Sequence, residues 1–119
     1  METEPTFTVR NNPDRRRYEL LDGDTVIGRA HCVPFDDAAG PQRIFYHTTV
    51  EDAYGGRGLG SRLAREALDD TIAGGLRIVP VCPYIKAWLA KHPEYQPHAV
   101  AVHPEHLAAV PHPKKQPRT

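Results

Sequence analysis

Four glycines fall within six residues at Gly55-Gly56-Arg57-Gly58-Leu59-Gly60, between a stretch that reads as a strand and one that reads as a helix. Residues 43–50 are rich in β-branched and aromatic side chains, the composition of a pleated, half-buried surface. Downstream, Leu63, Ala64, Ala67, Leu68 and Ile72 recur at helical spacing, with Arg62, Arg65, Glu66, Asp69 and Asp70 on the opposite side, where Arg62–Glu66 and Arg65–Asp69 read as i,i+4 pairs on a solvated face. The period therefore switches from two to 3.6 across a joint that is mostly glycine. Lacking Cβ atoms, such a backbone can turn its N–H groups toward one point and let a ligand approach closely. The first helical turn adds unsatisfied donors and the positive end of the helix dipole. The expected guest is an anion, a phosphate or pyrophosphate; the plain alternative is a flexible turn that merely starts a helix.

Two familiar phosphate loops fail on spelling. A Walker A loop needs Gly-Lys-Ser/Thr, but Gly60 is followed by Ser61-Arg62. The dinucleotide fingerprint, counted from Gly58, needs a third glycine at position 63, where the chain has Leu63.

The remaining periods change in an orderly way. Residues 7–10 form a short strand candidate. Residues 16–21 and 25–33 flank Asp22-Gly23-Asp24, a tight-turn signal. Gly74-Gly75 follows the helical stretch as its stop, and residues 76–81 are a compact apolar run. Pro83 suits a first helical turn, with Ile85, Trp88 and Leu89 as the buried stripe and His92-Pro93 as the end. The predicted order is β-β-β-β-α-β-α, an α+β fold whose twisted sheet is mixed but mostly antiparallel. The 119 residues suffice for one core. Residues 7–96 are expected to form it, with 1–6 disordered. Residues 97–119, which hold five prolines, are expected to be a largely irregular extension.

Composition excludes several function classes. Fifteen Lys and Arg against fifteen Asp and Glu leave no net charge, so a nucleic-acid partner is not expected, and the Arg15-Arg16-Arg17 triplet reads as a solvated strand edge. No apolar run approaches a membrane span, and no basic segment followed by an apolar stretch opens the sequence. Two cysteines do not make a disulfide framework; a cytoplasmic, reduced setting is expected. His103-Pro104-Glu105-His106 offers two imidazoles without an HExxH pattern, so no metal is expected.

Four motifs in order carry a resemblance. These are His47-Thr48-Thr49-Val50, the glycine loop, Pro80-Val81-Cys82 and His92-Pro93-Glu94-Tyr95, with Arg17-Tyr18-Glu19-Leu20 and Asp22-Gly23 also similar. Together, over about residues 14–96, they resemble small single-domain GCN5-related N-acetyltransferases of the NATD1 type. The family's pyrophosphate loop reads Arg/Gln-x-x-Gly-x-Gly/Ala. Gly58 and Gly60 agree with it, and Gly55 stands where the Arg or Gln would be. The resemblance implies acetyl-CoA as cofactor and a primary amine as acceptor, in a monomer or homodimer. It implies that strand 43–50 splays from strand 76–81. Thr48 and Val50 would then offer backbone groups to the pantetheine arm, while Gly55, Gly56, Arg57, Gly58, Leu59, Gly60 and Ser61 hold the phosphates.

Amine attack needs a base and the leaving thiolate an acid. His47 is the candidate base, since an ordinary imidazole titrates near neutral pH; a histidine hydrogen-bonded within the sheet is the equal alternative. Cys82, between strand and helix, is either an acyl-accepting thiol or a small buried hydrophobe. Tyr84 is either the proton donor or a packing aromatic. Thr49 stands where the resemblance implies a glutamate. That favours a second reading, a CoA-binding or interaction module without turnover.

Overall fold

The computed structural model describes residues 7–111; the disorder expected of residues 1–6, and residues 112–119 of the expected irregular extension, lie outside them. Four strands run in chain order as an antiparallel meander: β1 (Phe7–Asn12), β2 (Arg17–Asp22), β3 (Thr25–Asp37) and β4 (Gly40–Val50). The helix α1 (Leu59–Ala73) then crosses over, and β5 (Arg77–Pro80) pairs parallel with β4, giving the sheet order β1-β2-β3-β4-β5. Next come α2 (Pro83–Ala90) and the short α3 (Pro104–Ala109). The fold is α+β, with a mixed, mostly antiparallel sheet.

The apolar stripe of α1 lies on one face of this sheet. Leu59, Leu63, Ala64, Ala67 and Leu68 are buried against Tyr18, Leu20, Ile27, Ala30, Cys32 and Phe45, joined by Ile85, Trp88 and Leu89 of α2. Each fully buried Leu or Ile contributes roughly 1.5–3 kcal/mol by leaving water. The other face has a smaller cluster of Val33, Ile44 and Val79, with Phe35, Val100 and Val110 against it.

Three expectations from the sequence need correction. The central hairpin is longer than residues 25–33 and 43–50 suggested, because β3 continues through Pro34 and β4 starts at Gly40. Pro34 pairs with Arg43, one residue past Val33. By ladder alternation from the Cys32 N–H, which donates to Arg16 O, its missing donor faces the side where β2 has ended. The arginine triplet is a connection and not a strand edge: Pro13–Arg15 form a 3-10 turn, Arg16 takes a left-handed φ of 53°, and only Arg17 enters β2. The expected irregular extension contains α3, whose His106 is 1% exposed. The His106 ring bonds Gln42 Oε1 through Nε2 at 2.7 Å and accepts the His103 N–H at Nδ1.

The sheet also buries one carboxylate. Glu19 is fully buried, yet both oxygens are bonded, by Arg10, Arg17 and Asn12 at 2.7–3.2 Å. Burial alone would raise its pKa, but those donors outweigh burial and hold the carboxyl below its usual 4.5. A folded value below the unfolded one gives stability that is complete above about pH 4.5 and is lost as pH falls through the folded value. Glu19→Gln is expected to cost about 1–3 kcal/mol at pH 7. Its deficit against wild type should shrink in urea melts at pH 3. A deficit independent of pH would mean that the carboxylate charge contributes nothing.

Candidate functional site

β4 has a partner on its β5 side only over Gln42–Phe45, opposite Arg77–Pro80. The last bond there is from the Cys82 N–H to Phe45 O at 2.8 Å, after which the chain turns into α2. On the other side, pairing with β3 continues to Val50, with one extra residue, Tyr46, where the register shifts between His31 and Cys32. The Glu51 N–H donates to Ile27 O, which sets the phase of the ladder. His47 and Thr49 therefore turn their N–H groups toward β3, while Thr48 and Val50 turn theirs to the side that β5 has left. A wedge opens there.

The glycine loop closes the mouth of the wedge. Gly56 and Gly58 hold φ values of 78° and 71°, a conformation that side chains resist. The Gly55 N–H is taken by Asp52 O, and the Arg62 N–H by Gly58 O. Between them, the N–H groups of Gly56 through Ser61 meet no acceptor among the described residues. Both ends of the loop are tied down. Tyr54 donates to Asp22 Oδ2 at 2.6 Å and stands edge-on to Phe7, and Trp88 Nε1–H donates to Ser61 Oγ at 2.8 Å.

A cleft of about 300 Å³ lies between this loop and the free edge of β4. Thr48, Val50, Gly55, Gly56, Gly58, Leu59, Gly60, Ser61 and Tyr84 line it together, as do Thr49 and Tyr54, which the sequence had not put among the ligand contacts. Arg57 does not line the cleft; its guanidinium lies over the Tyr54 ring, 5.7 Å from the centroid. Tyr84 is 40% exposed and reaches across to α1, so close that a Cβ on Gly60 would stand 2.9 Å from its hydroxyl. Burial, then the nearby Cys82, raises the Tyr84 pKa, so its hydroxyl keeps its proton at neutral pH.

The two remaining candidates lie on opposite faces of β4. Cys82 is 3% exposed beneath the cleft, its thiol 3.4 Å from Thr48 Oγ1. His47 is exposed on the face away from α1, its ring stacked on His31 at 5.8 Å. Cys32 belongs to the core, its thiol pushed up to about 11 by burial.

A cluster behind the cleft was missed in the sequence. His92 stacks on Trp88 at 3.7 Å, Tyr95 stands edge-on to Trp88, and Arg65 lies over both the Trp88 and Tyr95 rings. Arg65 does not pair with Asp69 as i,i+4 spacing suggested; Tyr95 comes between them, donating to Asp69 and accepting from Arg65. The i,i+4 pair of Arg62 with Glu66 is present. His92 and Tyr95 thus orient Trp88, which holds Ser61 at the mouth of the cleft.

Comparison with known proteins gives this geometry a context. The family model described as GCN5-related N-acetyl-transferase matches residues 17–98. The chain is 27% identical to Protein NATD1 of Xenopus tropicalis over 93 residues, 76% of this chain and 83% of that protein. It is 43% identical to bovine Protein NATD1 over 47 residues, a stretch spanning 42% of the bovine protein. Among solved structures, a GCN5-like protein from Staphylococcus aureus superposes with a TM-score of 0.59 at 21% identity, covering 83% of this chain and 93% of that one. An aminoglycoside acetyltransferase from an uncultured soil metagenomic sample, in complex with sisomicin, superposes at 0.53 with 15% identity, covering 73% and 61%.

The loop conformation predicts unequal responses to alanine. Gly56→Ala and Gly58→Ala should each cost about 1–2 kcal/mol, because Ala must adopt a left-handed backbone. Gly60→Ala should cost under about 1 kcal/mol, since helix propensity offsets the push on Tyr84. It should still move the Tyr84 ring resonances. Urea denaturation and aromatic NMR spectra read the two effects; equal losses at all three sites would contradict the described loop.

Proposed function

This chain belongs to the GCN5-related N-acetyltransferase family, and from that premise we propose that it moves an acetyl group from acetyl-CoA to a primary amine by direct attack in a ternary complex. The observation that carries this reading is the run of unpartnered N–H groups from Gly56 to Ser61, beside the free edge of β4. Those donors, with the positive end of α1, suit a diphosphate. A Cβ on Gly60 would push against the Tyr84 hydroxyl, so glycine keeps Tyr84 close to the loop. When bound, acetyl-CoA supplies an activated acyl group and a thiolate leaving group.

The protein's own residues meet the remaining needs. Thr48 and Val50 offer outward N–H and C=O groups to an amide-rich arm, and one such N–H is the natural partner for a carbonyl that gains charge. The protonated Tyr84 hydroxyl is the proton donor for the departing sulfur. An alkyl amine near pKa 10.4 is only about one part in a thousand neutral at pH 7.4, so a base is needed. We assign that role to His47, which is exposed on the face of β4 away from α1 and would meet the amine at the free edge of the strand. The buried position of Cys82 favours its packing role over an acyl-enzyme route. Thr49 supports a second reading, a CoA-binding module that does not turn over, because no carboxylate stands at that strand position.

Titrating the full chain with acetyl-CoA should shift the amides of Gly56 through Ser61 and of Thr48 and Val50. With a suitable amine, CoA thiol should be released, and His47→Ala should slow release by about a hundredfold or more. Tyr84→Phe should lower kcat more than KM, and Cys82→Ser should leave turnover within a few-fold. Silence at the loop amides at millimolar acetyl-CoA would sink the proposal; binding without thiol release across an amine panel would select the module reading.

A further inference from the structure

The face of the sheet away from α1 carries charge in cross-strand rows that start at the wedge. One row runs from His47 to His31 and Arg17, and the next from Thr49 to Arg29, Glu19 and Arg10, each residue opposite the next in register. The single acid of these rows is already engaged, both oxygens of Glu19 being held by Arg10, Arg17 and Asn12. Three guanidiniums against one carboxylate leave an excess of positive charge on a chain that is neutral as a whole. Arg29 has no ion-pair partner among the described residues. The His31 pKa is lowered, first by burial and then by Arg17, His47 and Arg29, so the same positive field acts on a neighbouring group.

We infer that this face binds the acceptor, and that the acceptor is a primary amine that also carries a carboxylate or phosphate. The inference rests on the proposed transferase reading for where the amine sits. Adjacent strands lie about 4.8 Å apart, so Arg29 is about 5 Å from the β4 edge and Arg17 about 10 Å. An amine resting at His47 and Thr49 would lay an anionic group over Arg29, with Arg17 behind it. Guanidinium forks match carboxylate and phosphate oxygens. A polyamine would instead bring further positive charge against arginines whose one acid in register is already engaged. This separates the chain from the aminoglycoside acetyltransferase whose fold it shares, because the amino sugar named there is a cation.

The test titrates the full chain at low salt with β-alanine, phosphoethanolamine, ethanolamine and spermidine, following the amides of Arg29, His31 and His47. The two anionic amines should give saturable shifts that weaken about tenfold or more in Arg29→Gln and persist in Arg29→Lys. Ethanolamine and spermidine should bind at least tenfold more weakly. Equal binding of spermidine or ethanolamine, an unchanged affinity in Arg29→Gln, or inorganic phosphate binding as tightly as phosphoethanolamine would each overturn the inference. Turnover separates the two proposals: acetylation of spermidine and β-alanine at equal kcat/KM removes the anionic acceptor and keeps the transferase. Selective binding of the anionic amines without thiol release keeps the surface and removes the transferase.

Discussion

β4 is flanked on one side along nearly its whole length and on the other for only four residues. That inequality underlies the site. A strand in the middle of a sheet normally exchanges bonds on both edges, and exposed N–H and C=O groups invite another chain to pair with them. Here β5 stops at Pro80, the Cys82 N–H closes the ladder on Phe45, and Pro83 starts α2 at once. The departing helix takes the chain away from β4 and leaves the outward groups of Thr48 and Val50 open. The extra residue at Tyr46 bends the strand just where the divergence starts.

An open edge and a glycine-rich loop would be worth little if either moved freely, since ordering a residue costs about 1–2 kcal/mol each time a ligand binds. The loop is held by contacts that come from distant parts of the chain. Tyr54 reaches Asp22 at the β2–β3 turn, and Ser61 is held by Trp88, which is itself packed among His92, Tyr95 and Arg65. Much of the ordering is therefore done before any anion arrives. It also explains why His92-Pro93-Glu94-Tyr95, more than 30 residues downstream, bears on a cleft that it does not line.

What the sequence made legible was local and periodic. The α1 stripe, the glycine joint and the β-rich character of residues 43–50 each depend on neighbours within one turn or one pleat, and all are present in the fold. The missed features depend on long-range partners. The strand expected over residues 25–33 runs on through Pro34, whose tolerance rests on β2 ending beside it. Arg65 looked like half of a helix pair because Tyr95 is 30 residues away. His106 looked like part of an irregular tail because its partner Gln42 is 64 residues distant. At the cleft, glycine spacing pointed to the loop, but no spacing rule shows that Arg57 turns back onto Tyr54 or that His47 and Cys82 stand on opposite faces of one strand.

That last separation shapes the chemistry. Strand alternation puts Thr48 and Val50 on the α1 side, with the loop donors and Tyr84, and puts His47 and Thr49 on the arginine side. On the proposed reading, donor and acceptor approach β4 from opposite faces and meet only at its free edge. Two charged ligands then never share a surface: an anionic diphosphate sits on backbone dipoles at one end, and an anionic acceptor sits on guanidiniums across the sheet. A single site holding both anions would set their like charges against each other at close range. Dividing them between two faces of one strand lets a small domain bind both.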